Sequence, residues 1–146
     1  MSIRHHAPTV ARVLLGLPLV VFGLNGFLNF IPVPPPEGAA ATFMGGLAAA
    51  GYFFPLLKAT EIVTGLLLLS GRFVPLALTI LAPIVLNIVA YHGLVLGAGL
   101  PLPLVMAALG IFLAWSYRDS FRGVLAAKAK PVTSDDASSK SVPLHA

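Results

Sequence analysis

The chain has 146 residues, 58% of them hydrophobic and only 10% charged, with a mean hydropathy of +0.94. Soluble domains carry about 25% charged residues, so there are too few here to cover a soluble surface, and one membrane-embedded unit is expected. The net charge of +4 sits on basic residues at the ends of apolar runs, which argues against a nucleic-acid partner, and the absence of cysteine excludes disulfides, thiol chemistry and cysteine-held metals.

A membrane helix needs roughly 20 mostly apolar residues. The first such run is Val13 to Ile31, "VLLGLPLVVFGLNGFLNFI". It is too long for a signal-peptide core, and no small-residue cleavage site follows it directly, so it reads as a retained span. "PVPPPEG" then breaks the chain, because prolines cannot continue a helix. The apolar, glycine-weakened "AAATFMGGLAAAG" predicts a short interfacial or partly re-entrant helix ended by Gly51. "YFF" is an aromatic anchor, and Pro55 suits the first turn of a second span over 53–70.

Gly71-Arg72 predicts a tight turn, and a third span covers 73–95 with Pro83 kinking its middle. "GAGLPLP" is a loop, and a fourth span follows over 102–117, ending at Trp115 and Tyr117. The polar, Pro/Ser-rich tail over 128–146 has too little apolar surface to fold and is expected to be disordered. Arg4 and Arg12 precede span one, Arg72 joins spans two and three, and Arg118, Arg122, Lys128 and Lys130 follow span four. The other two connections hold no Lys or Arg, so both termini and the Arg72 turn are expected in the cytoplasm. The expected fold is all-α: a four-span membrane bundle over 1–127.

The polar side chains of three spans are expected in the outer half of the membrane. At about 1.5 Å per residue, Asn25 lies about 20 Å and Asn29 about 25 Å above the cytoplasmic arginines. Glu61 lies about 16 Å and Lys58 about 21 Å above Arg72; Asn87 lies at about 22 Å and His92 at about 30 Å. Asn25 and Asn29 share one helix face, Lys58 and Glu61 another, and Pro83, Asn87 and Tyr91 a third. Charged groups inside spans turn towards partners or cavities. One polar pocket between spans one, two and three is therefore expected, with Glu61 and Lys58 as the chemical groups and Asn25, Asn29, Asn87, Tyr91 and His92 lining it. Span four closes the bundle through Ala107, Gly110 and Ala114.

Plainer readings stay open. Lys58 is placed to snorkel to the headgroups, Lys58 and Glu61 to form a structural pair, and Asn25 and Asn87 to bond between helices. His92 suits an interfacial position. A bis-histidine haem would need two axial ligands, and only His92 lies in the membrane. No dinucleotide or phosphate loop, catalytic triad or metal-ligand spacing stands out.

The stretches "FGLNGFLNF" and "FMGGLAAAGYFFPLLKATEIVTGLLLLSGRFVPLALTILAPIVLNIVAYH" resemble the DoxX family of small bacterial four-span membrane proteins. The resemblance covers roughly 14–95. Its most specific parts are Gly51-Tyr52 before Pro55, Glu61, and "LLLLSGR". It implies a multi-pass protein of the bacterial inner membrane, linked to quinone-dependent or oxidative-stress redox systems. Glu61 matches the family's span-two acid, Asn25 its span-one polar turn, and His92 the end of span three. The chain itself would hold no cofactor; a quinone is the group the resemblance admits, with electrons supplied by a redox partner protein. A homo-oligomer, a small-molecule binder or transporter, and a non-catalytic scaffold or assembly factor are the alternatives.

Overall fold

A computed structural model describes residues 3–128, with side chains from His6 onward. Among the described residues all the regular structure is helical, with no strand. In order, the helices are α1 (Ile3–Leu28), α2 (Gly38–Ala49), α3 (Phe53–Ser70), α4 (Val74–Ala90) and α5 (Pro101–Ser116). A π-helical segment, Tyr91–Leu96, continues α4, and a 3-10 turn, Arg118–Phe121, follows α5. Three stretches are long and apolar enough to cross a membrane: His6–Leu28, Phe53–Ser70 and Val74–Leu96. The tail expected to be disordered lies outside the described residues, apart from Lys128.

The ends of the elements follow from local chemistry. α1 begins ten residues before the expected start at Val13, because Arg4 to Arg12 extend the helix beyond the apolar run. It stops at Leu28, short of Ile31, because Asn29 adopts a left-handed backbone (φ 50°), a conformation asparagine tolerates. α2 ends as expected, with Gly51 at φ 71°. α3 has the expected bounds, and Gly71 closes it in the left-handed region (φ 71°). α4 starts one residue later than Phe73, which is itself left-handed (φ 55°), and Pro75 occupies its first turn.

α1 and α3 run antiparallel and nearly touch backbone to backbone. A Cβ on Gly16 would lie 2.9 Å from the Gly65 carbonyl oxygen, and one on Gly65 would lie 2.8 Å from that of Gly16. At one end of this pair the Arg12 guanidinium lies against Gly71; at the other, Gly26 lies under the Lys58 stem. α4 packs on α3, α5 packs on both α4 and α1, and so the four longer apolar helices close a ring. The expected packing face of α5 holds in part. Ala114 packs against the core, but Gly110 has open space around it, and the fully buried Leu113, with Met106 and Leu109, makes contact there too. Small residues bring backbones into contact where two helices close in, as Gly16 and Gly65 do for α1 and α3.

The aliphatic core lies towards the Arg72 end. It comprises Ala11, Leu15 and Leu19 of α1, Leu68 of α3, Val74, Ala77, Leu78 and Leu81 of α4, and Leu113 of α5. The buried polar residues, Asn25, Glu61 and Thr64, lie beyond it towards the proline-rich connection.

Candidate functional site

Glu61 is the buried acid of α3. Its side chain is 6% exposed, and it accepts a 2.8 Å charge-assisted hydrogen bond from Lys58 Nζ, whose side chain is 25% exposed. The three-residue spacing puts both on one helix face. Burial of Glu61 demands such a partner, because an unpaired carboxylate in apolar surroundings is costly. The Lys58 stem is held from the other side: a Cβ on Gly26 would lie 2.5 Å from its Cγ and 2.7 Å from its Cδ. Gly23 likewise approaches the Lys58 carbonyl oxygen and Ile62. The absence of side chains on α1 is therefore what lets the lysine lie flat along α3 and meet the acid.

Thr64 is also fully buried, one turn from Glu61, and sequence reasoning missed it. Its hydroxyl donates to the Thr60 carbonyl at 2.7 Å and reaches that of Glu61 at 3.2 Å. The three-residue step from Glu61 to Thr64 placed it on the same face. Its capacity to satisfy itself on its own helix hides it from any search for chemistry. The glycines Gly16, Gly23, Gly26 and Gly65 were missed too; the spacing 16, 23, 26 on α1 was the available signal.

The single pocket expected between three spans is not assembled. Asn25 is buried, but its carboxamide is committed to its own chain: Nδ2 donates to the Ile31 carbonyl at 3.1 Å, and Oδ1 accepts from the Ile31 N–H at 2.6 Å. It folds the end of α1 back on itself because that backbone has left the helix and needs partners. Asn29 is exposed and serves as the left-handed terminator of α1. Asn87 is exposed on the outward side of α4, so it does not line an enclosed site.

Tyr91 and His92 form a separate cluster. Tyr91 stacks on Phe43 of α2 with ring centroids 5.7 Å apart, and meets His92 edge-on at 5.3 Å. The His92 Nδ1 lies 2.9 Å from the Ile88 carbonyl oxygen, and its ring backs onto Gly99. This cluster anchors α2 over the π-helical end of α4.

Two open grooves lie elsewhere. One of about 360 Å³ runs along Ile111, Ala114, Trp115, Arg118, Phe121 and Leu125. Another of about 460 Å³ lies between Val10 and Leu14 of α1 and Leu109 and Phe112 of α5. Both are apolar, and neither reaches Glu61. The second places the C-terminal half of α5 beside the N-terminal half of α1, so Arg12, Arg72 and Arg118 share one end of the molecule.

Compared with protein families, curated proteins and solved structures, the chain matches none. The site is therefore defined by its own geometry: among the described residues, an ion pair with a nearly enclosed acid and a quarter-exposed lysine, clamped by a glycine seam.

Proposed function

We propose that this chain is a four-helix, multi-pass protein of the bacterial inner membrane, similar to the DoxX family, and an accessory subunit of a quinone-linked or oxidative-stress redox system. The observation that carries the reading is the Lys58–Glu61 pair, an acid and a base within helices otherwise suited to lipid. Ionisable groups in such helices are rare and mark sites. Support for the orientation comes from Arg12, Arg72 and Arg118 at one end, which the positive-inside bias places in the cytoplasm.

The residues are compatible with a quinone headgroup. Lys58 uses one N–H on Glu61 and keeps two further donors, and a quarter of its side chain is open. A carbonyl oxygen arriving at that face meets a cationic donor backed by a carboxylate. A quinone supplies two-electron, two-proton chemistry when bound; its electrons would come from a partner protein. The role of this chain is to hold the headgroup at Lys58 and to keep a proton-exchanging carboxylate beside it at Glu61.

A second reading has an observation of its own. The pair satisfies itself and is wedged under Gly26, which suits a scaffold or assembly factor whose charges only fix the pairing of α1 and α3. Three variants separate the two: Glu61→Gln, Lys58→Met, and the double Lys58→Met/Glu61→Leu, assayed for expression, quinone binding and oxidant sensitivity of the cell. The redox reading expects normal expression with lost binding in Glu61→Gln and in the double variant. Wild-type behaviour of the double variant would remove it and leave the scaffold.

A further inference from the structure

Asn87 is the polar residue that the site leaves unused. It lies 13 residues into a 23-residue apolar stretch, about 20 Å from its Arg72 end at 1.5 Å per residue. It faces outward, and among the described residues no group hydrogen-bonds its carboxamide. Two other polar side chains of this stretch bond on their own helix: Thr79 donates to the Pro75 carbonyl and His92 lies against that of Ile88. In hydrocarbon, a carboxamide with two donors and an acceptor facing lipid is costly to leave unpaired.

A second, independent observation concerns its neighbours. Leu76, Ile80, Pro83, Asn87, Ala90 and Leu94 recur at steps of 4, 3, 4, 3 and 4, and all but the half-buried Ala90 are exposed. Such a heptad stripe is the seam of a left-handed helix pair, and a single asparagine within one fixes register and partner number. None of this stripe belongs to the buried core of the chain.

We propose that a second copy of this chain packs along this face of α4, with Asn87 of each copy hydrogen-bonded to Asn87 of the other across a two-fold axis. The chemistry selects a second copy. A carboxamide is both donor and acceptor, so it is its own complement, and two copies inserted the same way round bring identical depths together. The seam is then parallel, and the axis is perpendicular to the membrane. This inference rests on the membrane reading above, but not on its redox part.

The cysteine-free chain makes the test direct. Single cysteines are placed at Leu76, Ile80 and Leu94 on the seam, and at the equally lipid-facing Val63 and Ile111 as controls. Each is oxidised in native membranes with Asn87 intact and with Asn87→Leu. The expected result is disulfide dimers from the seam positions alone. Asn87→Leu should weaken the dimer by about three- to eighteen-fold in dissociation constant, the span of one polar contact between helices in lipid. Equal cross-linking at Val63 and Ile111, a product of a mass other than twice the chain, or dimers indifferent to Asn87→Leu would each overturn the proposal. A chain absent from the membrane fraction would overturn the membrane reading itself, and a membrane-inserted chain with no seam cross-link would overturn the dimer alone.

Discussion

At the scale of single residues, the ion pair is unequal, and its inequality makes a prediction. Glu61 is nearly enclosed, whereas Lys58 carries its charge on a long stem that is a quarter exposed. Lys58→Met leaves a buried carboxylate alone, and removing one partner of such a pair costs about 3 kcal/mol or more. Glu61→Gln leaves a lysine that can reach outward to polar surroundings and keeps an amide acceptor beside it, so its cost should be about 1 kcal/mol or less. Unfolding of purified protein in detergent should therefore rank Lys58→Met as the less stable variant. The reverse order would mean that the lysine, not the acid, is the enclosed member. The pair itself was legible in the sequence, because opposite charges three residues apart in an apolar helix share one face and offset each other's cost of leaving water. Gly26 was not: that a residue with no side chain carries the lysine depends on how closely another helix approaches, and spacing along α3 holds no information about that.

At the scale of elements, the same reasoning divides the glycines into two kinds. Gly16 and Gly65 face each other through backbone, which cannot rotate away, so Gly16→Ala or Gly65→Ala should destabilise by about 1–3 kcal/mol through overpacking. Gly110 sits inside α5 with nothing near it, so Gly110→Ala should stabilise by about 0.5–1 kcal/mol through helix propensity. Thermal unfolding of the three variants checks both signs. This reverses the sequence expectation, in which Gly110 was a contact and Gly16 merely part of a span. The error has a physical source: hydropathy places a helix in lipid but does not say which of its faces meets another helix.

The polar ends behave similarly. Asn25 was legible as a buried amide, but its partner was not, since Ile31 comes within reach only because Asn29 turns the chain left-handed. Asn25→Ala should lose two hydrogen bonds, costing about 1–3 kcal/mol, while leaving any binding at Lys58 unchanged in affinity. A loss of affinity at normal stability would return Asn25 to the site.

At the scale of the molecule, a bilayer about 30 Å thick sets the length a crossing helix needs. α1, with 26 residues, extends about 39 Å and is long enough to cross with length to spare. α5, with 16 residues, extends only about 24 Å and falls short. Yet its two ends differ as crossing requires. Leu100 and Pro101 follow a loop without charge, whereas Arg118 lies over the Trp115 ring at 5.3 Å, a cation and an aromatic side by side as at a headgroup boundary. Local thinning, or the 3-10 turn carrying Phe121, can make up the missing length at modest cost. α5 should therefore cross. Cysteines placed singly at Glu37 and Ala98 should react with a membrane-impermeant maleimide in intact cells. Those at Ser70 and Ser120 should react only once the membrane is opened. If Ala98 and Ser120 label from the same side, α5 lies along the surface instead. The ring of helices would then be open to lipid where α5 now packs on α1 and α4, and the core at the Arg72 end would need another partner to stay buried.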